Sequence, residues 1–130
     1  MRLYAAALLT AFAFNAVAPA TATAEPARTL PVISSALPGH VCFWPEPEEM
    51  GPGGGWCYNG TGYSEAAPHV KRHAKSFSNQ SQDTFYAIHF PREGGCLYRT
   101  IYGGDYAPHW EWWEKLDGVQ RTRPSDCSPG

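Results

Sequence analysis

Four cysteines are the residues of this sequence whose chemistry is best defined: Cys42, Cys57, Cys96 and Cys127. An even number of cysteines in a small chain that carries an export signal favours two disulfides. The four residues allow three pairings, and their spacing does not decide among them. Pairing of sequence neighbours, Cys42 with Cys57 and Cys96 with Cys127, would staple each half of the chain. No C-x-x-C pair is present, so we do not expect a zinc site.

Other residue types that could do chemistry lack the neighbours that such chemistry needs. His69 and His73 are four residues apart, but Lys71 and Arg72 between them would repel a metal ion. The sequence has no G-x-S-x-G motif for a serine nucleophile, and cysteines in disulfides are not nucleophiles. We therefore expect no enzymatic activity, no bound metal and no cofactor.

The tryptophans offer a different chemistry, because a flat aromatic face can stack on a sugar ring. Segment Asp105–Gly118 is predicted to be a short helix, since it contains a Glu–Lys pair at i,i+4 and ends at a glycine. On such a helix Trp110, Trp113 and Leu116 share the face that packs on a sheet. Trp112 lies off that face and is the candidate exposed ring for carbohydrate stacking.

Short strands, rather than long helices, have to position these residues. Aromatic and β-branched runs bounded by Gly, Pro and Asn are typical of strands in an all-β domain. A weak internal repeat, in which Cys42–Trp56 is similar to Cys96–Tyr106, suggests two paired Greek keys. The predicted strands are Val41–Trp44, Trp56–Tyr58, Ser76–Ser78, Thr84–Phe90, Cys96–Tyr102 and Val119–Arg123.

The N-terminal residues 1–24 are predicted to be a cleaved signal peptide. A positive Arg2 precedes an apolar run, and Ala22-Thr23-Ala24 is the small-x-small pattern of a signal peptidase site. The apolar run is shorter than the roughly 20 residues that span a bilayer. Residues 25–39 then form a flexible Pro-rich lead-in to a domain over residues 40–130. We expect a secreted protein that is not attached to a membrane after cleavage.

Composition excludes several classes of protein. A chain of 130 residues has room for one domain. Aromatic residues make up 14% and charged residues 17%. A disordered chain has few aromatic residues and many charged ones, so this composition is that of a folded domain. The formal net charge is −2, and it becomes one unit more negative when the leader with Arg2 is removed. The domain has no basic surface for phosphates, so we expect no nucleic-acid partner. We also expect the protein to be a monomer.

Several of these segments together resemble the streptomycete metalloproteinase-inhibitor family. The resemblance is carried by the run His73–Asn79, by the strand Phe85–Phe90 and by Cys96 after a proline turn. Upstream, Cys42-Phe43-Trp44 and the Gly-Gly sequence before Trp56 are similar to the opening strands of that family. The match covers roughly residues 40–106. It implies a small exported protein with two disulfides and a βγ-crystallin-like sandwich of two Greek keys.

The resemblance also implies a site, an inhibitory loop at Cys96, Leu97 and Tyr98. In the family a second cysteine closes a tiny ring after the first, whereas here the next cysteine is Cys127. Leu97 would then fill the apolar pocket of an extracellular metalloprotease. Arg72 and His73 occupy the positions where crystallin-type domains hold calcium, so we expect no calcium site there.

The function expected from this sequence is therefore that of a secreted peptidase inhibitor. The alternative is an exported cell-wall or carbohydrate-binding module that uses exposed tryptophans, with Trp112 as its stacking ring. The exposure of Leu97 and of Trp112 in a structure discriminates between the two hypotheses.

Overall fold

The computed structural model describes residues 36–130, so the predicted signal peptide 1–24 and most of the lead-in 25–39 lie outside the described residues. Residues 36–130 contain two β-sheets and no helix, and hence no helix that could cross a membrane. The prediction of an all-β domain is confirmed. The nine strands are β1 (Val41–Trp44), β2 (Trp56–Tyr58), β3 (Ser64–Glu65), β4 (Ser76–Asn79), β5 (Phe85–His89), β6 (Leu97–Ile101), β7 (Tyr106–Ala107), β8 (Gly118–Gln120) and β9 (Ser128–Pro129).

The chain has two halves, β1–β4 and β5–β8, and each half contributes one strand to the sheet formed mainly by the other half. The first sheet has the order β2-β1-β4-β7, and the second has the order β3-β8-β5-β6-β9. Strand β3 of the first half pairs with β8 of the second half, and β7 of the second half pairs with β4 of the first half. All pairs are antiparallel except β6 with β9. Neither half of the chain completes a sheet alone, so the two halves depend on each other.

Alternation along the strands sorts side chains between the core and the outer faces of the sheets. In β5, Phe85 and Ala87 are fully buried and both belong to the core cluster. They share one face of the sheet because alternate side chains of a strand point the same way. From the first sheet, Phe43 and Phe77 join the same cluster together with Trp110. The ring centroids of Phe77 and Trp110 are 5.0 Å apart. Burial of each such side chain stabilises the fold by about 1.5–3 kcal/mol, so this aromatic cluster holds the sheets together.

The helix predicted over residues 105–118 is wrong. Its first residues form β7, its last begins β8, and turns connect the two strands. Within these turns the N–H of Lys115 donates to the carbonyl of Trp112, but the N–H of Trp110 donates to the distant carbonyl of Lys75 at 2.7 Å. Bonds of this segment to β4 and to Lys75 replace those of a helix, and in this arrangement the rings of Trp110 and Trp112 lie in the core.

Both disulfides join sequence neighbours. Cys42 and Cys57 face each other across β1 and β2, and Cys96 before β6 bonds to Cys127 before β9. The described residues contain no free cysteine. Two disulfides in a domain of this size indicate an oxidising, extracellular environment.

Candidate functional site

The three residues predicted as an inhibitory loop, Cys96, Leu97 and Tyr98, do not form one. Leu97 and Tyr98 begin β6, an interior strand that pairs with β5 on one side and β9 on the other. Leu97 packs half-buried against the core, and Tyr98 is buried with its ring edge-on to Tyr86. Leu97 and Tyr98 therefore lie in a strand that has neighbours on both edges, and not in a loop.

An exposed loop lies directly before them, at residues 90–96, and we call it the β5–β6 loop. Its residues 92–95 are exposed, and Phe90 at its start is 46% exposed. A turn within it is closed by the N–H of Gly94, which donates to the carbonyl of Pro91 at 3.1 Å. Gly94 and Gly95 have φ angles of 101° and 75°, values that favour glycine. Of the three predicted residues, only Cys96 belongs to this loop.

The first end of the loop is held by a cluster around one buried carboxylate, which we call the Asp117 clamp: Asp117, Arg72 and His89. The carboxylate of Asp117, only 2% exposed, accepts hydrogen bonds from Arg72 Nε at 2.7 Å and from His89 Nδ1 at 3.0 Å. It also accepts the backbone N–H of Phe90 at 2.7 Å. Arg72 Nη2 donates to the carbonyl of Phe90 at 3.2 Å. Both backbone polar groups of Phe90 are therefore fixed.

The electrostatics of the Asp117 clamp keep it charged. Burial by itself would raise the pKa of Asp117, but the hydrogen bonds from Arg72, Phe90 and His89 and the charge of Arg72 together lower that pKa below its usual value. The pKa of Arg72 is raised, mainly by its hydrogen bond to Asp117. At neutral pH the carboxylate is thus ionised and accepts all of these bonds.

The other end of the loop is held covalently by the disulfide between Cys96 and Cys127. The N–H of Ser128 donates to the carbonyl of Cys96 at 3.0 Å, and β9 continues this contact along β6. The loop is therefore anchored at one end by an ion cluster and at the other by a disulfide. Both ends of the β5–β6 loop are thus fixed, while residues 92–95 between them are exposed.

A groove of about 560 Å³ runs beside the β5–β6 loop. Ile88 and Phe90 line one part of it, and the C-terminal segment before Cys127 lines the other. Tyr63 stands at its rim and contacts Phe90 edge to face, with ring centroids 5.9 Å apart. Burial and the nearby charge of Asp117 raise the pKa of Tyr63, so its hydroxyl stays protonated beside the loop.

The tryptophans do not present the exposed stacking face that was expected. Trp112 is 1% exposed, so the prediction that it is the free ring of a carbohydrate site is wrong. Its ring lies 5.8 Å from that of Trp110, and the guanidinium of Arg99 lies over it at 5.7 Å. Trp113 is half-buried with Lys75 over its ring. The irregular turn lets neighbouring rings point inward together, which a helix could not do.

His69 and His73, which are four residues apart in the sequence, do not share a site. His69 Nε2 lies 3.0 Å from the carbonyl of Gly54, whereas His73 is exposed. Over residues 36–130 no group of three or more His, Cys, Asp or Glu side chains is arranged to hold a metal ion.

Sequence reasoning missed the residues that anchor the loop. In the sequence, Arg72 is a charge that would repel a metal ion and a residue at a crystallin-type calcium position, whereas in the structure it is the partner of Asp117, 45 residues away. The sequence places Asp117 at the end of a predicted helix and Phe90 at the end of a predicted strand. The available signal was weak: an Asp next to a Gly after a turn, which many surface loops share.

Comparisons with known proteins give no relative. Neither family models, nor curated proteins, nor solved structures match this chain. Function therefore has to be inferred from the β5–β6 loop, its anchors and the remaining surface.

Proposed function

We propose that this is a secreted protease-binding protein that acts as a peptidase inhibitor on an extracellular metalloprotease, through the β5–β6 loop. The observation that carries the proposal is that the loop exposes residues 92–95 while both of its ends are held, by Asp117 and by the Cys96–Cys127 disulfide. A segment fixed before binding loses less conformational entropy in the complex. The long-range disulfide supplies the constraint that a tiny ring supplies in the family resembled.

Phe90 takes the role of apolar anchor that the resemblance assigned to Leu97. Its side chain is 46% exposed although its backbone is fixed on both polar groups. A large aromatic side chain on rigid backbone is the usual composition of an interface hot spot. Leu97 packs against the core instead, so it supports the loop from below.

The finer description of the fold is also a proposal: two Greek keys arranged as in a βγ-crystallin domain. It is supported by the exchange of β3 and β7 between the sheets, which relates β1–β4 to β5–β8. Export with cleavage after Ala24 is supported by the leader pattern and by the two disulfides. N-terminal sequencing of the exported protein tests the cleavage site.

Inhibition is tested with the mature protein and a panel of thermolysin-like metalloproteases. We expect wild type to slow at least one of them at about micromolar concentration, and Phe90→Asp to weaken binding by about 30-fold or more, the loss typical of a buried aromatic hot spot. Met50→Asp is the matched control, because Met50 is an exposed apolar residue in the loop between β1 and β2.

Circular dichroism and the melting temperature must show that both variants are folded. Equal weakening by Phe90→Asp and Met50→Asp would mean that the β5–β6 loop is not the contact. If wild type slows no protease of the panel, the proposed inhibition is wrong.

A further inference from the structure

A second concave surface lies at the opposite end of the sandwich from the β5–β6 loop. Because β5 runs from Phe85 to His89 and β6 returns antiparallel, the residues before β5 and after β6 meet at the far end. A cleft of about 530 Å³ lies there. We call it the amide cleft, and it is lined by Gly39, Asn79, Gln80, Ser81, Gln82, Asp83 and Gly104.

One buried side chain makes the cleft rigid. Asn79 is buried, and its Nδ2 donates to the carbonyls of Asp83 and Tyr102, both at 2.9 Å. Its Oδ1 accepts the N–H and the hydroxyl of Ser81, at 3.1 and 2.7 Å. All bonding positions of this amide are used, so Asn79 is a support and not a ligand-binding group. It joins the loop before β5 to the turn after β6.

Three other polar side chains of the cleft have donor or acceptor atoms that make no hydrogen bond within residues 36–130. Gln82 is exposed, and its side chain makes no hydrogen bond with any part of residues 36–130. Asp83 accepts from Arg121 Nη1 with Oδ2 alone, which leaves Oδ1 free. Gln80 donates from Nε2 to the hydroxyl of Ser78 at 3.3 Å, which leaves its side-chain oxygen free. The cleft therefore presents both donors and acceptors on a fixed backbone.

Two exposed tyrosines have backbone contacts at the cleft: the carbonyl of Tyr102 accepts from Asn79 Nδ2, and Tyr106 pairs with Ser78, the residue before Asn79. Tyr102 and Tyr106 lie two residues to either side of Gly104 and are 63% and 55% exposed, the highest values among the described aromatic side chains. Each belongs to a fixed backbone: the N–H of Tyr102 donates to Asp105 Oδ2 at 2.8 Å, and Tyr106 pairs with Ser78 in β7. No ring contact within residues 36–130 covers them, in contrast to Tyr63 and Phe90, which pack on each other.

We propose that the amide cleft and these two tyrosines bind a neutral saccharide. The amides can donate and accept hydrogen bonds and the carboxylate can accept them, which matches the hydroxyls of a sugar, and a tyrosine ring with a polar tip packs on the C–H face of a sugar. Among residues 36–130, the one cation bonded to a side chain of the cleft is Arg121, and it is engaged by Asp83. A phosphate or acidic sugar would lack a free cationic partner there, so the ligand is uncharged. The site is separate from the tryptophan site that the sequence predicted.

The test is titration calorimetry with hexasaccharides of glucose and of N-acetylglucosamine. We expect wild type to bind at least one of them. Replacing both rings by Tyr102→Ala and Tyr106→Ala should weaken binding by about tenfold or more, and Gln82→Ala by about threefold to tenfold. Tyr63→Ala is the matched control, since it removes an exposed tyrosine far from the cleft and should leave binding unchanged.

Phe90→Asp should also leave saccharide binding unchanged, which separates this site from protease binding. Because Tyr102, Tyr106 and Gln82 are exposed, their variants should keep the melting temperature of wild type. Absence of binding to both hexasaccharides, or an equal loss with Tyr63→Ala, would overturn the proposal.

Discussion

The two hairpin loops that open the halves of the chain are anchored by different chemistry. In the β1–β2 loop (residues 45–55), Ser76 Oγ donates to the carbonyl of Glu46 at 2.7 Å and accepts the N–H of Glu49 at 2.9 Å. In the β5–β6 loop, the carboxylate of Asp117 accepts the N–H of Phe90. Ser76 begins β4, and Asp117 directly precedes β8, the strand in the same place of the second half.

This difference shows that a neutral hydroxyl is sufficient to hold a loop of this fold. The Asp117 clamp adds charge, and with it Arg72 and His89, from two other segments of the chain. The two disulfides also differ in how distant the segments are that they join. Cys42 and Cys57 join residues already paired in neighbouring strands, whereas Cys96 is tied to a segment 31 residues away. The β5–β6 loop therefore depends more on tertiary partners than the β1–β2 loop does.

The largest expected effect comes from removing the disulfides one at a time. Replacing Cys96 and Cys127 by Ala should cost about 4 kcal/mol of unfolding free energy, against about 3 kcal/mol for Cys42 and Cys57, because the first pair closes the longer loop. Urea unfolding measures both. Only the Cys96–Cys127 variant should also lose protease binding. The reverse order of stability would contradict the comparison.

The next effect comes from the two loop anchors. Asp117→Ala should cost about 3 kcal/mol, at the lower end for a broken buried ion pair because Arg72 is 41% exposed. Ser76→Ala, the matched change in the other half, should cost about 1–2 kcal/mol, since it leaves the neutral partners of one hydroxyl unpaired. Urea midpoints compare the two variants. Equal losses would mean that the charge of the clamp adds nothing.

The smallest expected effect is a pH dependence of the unfolding free energy that comes from Asp117. The pKa of Asp117 is lowered in the folded protein, so the unfolded chain, with a usual pKa of about 3.9, takes up the proton more readily. The stabilisation by Asp117 is present above that value and is lost as the pH falls through the lowered pKa. Wild type should therefore keep its advantage over Asp117→Asn at about pH 6 and lose it progressively as the pH falls below about 4 in urea unfolding. An advantage that stays constant would show that Asp117 does not ionise differently on folding.

Strands with strong local patterns could be predicted from sequence alone. Val41–Trp44 and Trp56–Tyr58 have the predicted bounds, and the strands at Phe85 and Leu97 differ only at their ends. Aromatic and β-branched residues favour a pleated surface, and the Pro and Gly residues that follow end it within a few positions. Both signals come from neighbouring residues, so they do not depend on contacts with distant parts of the chain.

Residues 105–118 show where local reasoning failed. The segment has helical spacing of charges and apolar residues, but Tyr106 pairs with Ser78 and Trp110 bonds to Lys75, both about 30 residues away. The repeat found in the sequence failed for a related reason. It matched Cys42 in the first strand of one half to Cys96 before the second strand of the other, because glycine and aromatic spacing does not encode strand order.

The sequence by itself determined the fold class, the strands with continuous apolar or aromatic patterns and the presence of two disulfides, because each follows from composition or from neighbours along the chain. Only the tertiary structure decided that Leu97 is an interior strand residue, that Trp112 is buried and that Asp117 holds the backbone of Phe90. The physical reason is the same in each case. Burial and pairing are set by groups that come from distant segments, such as β9 beside Leu97 and Arg72 beside Asp117.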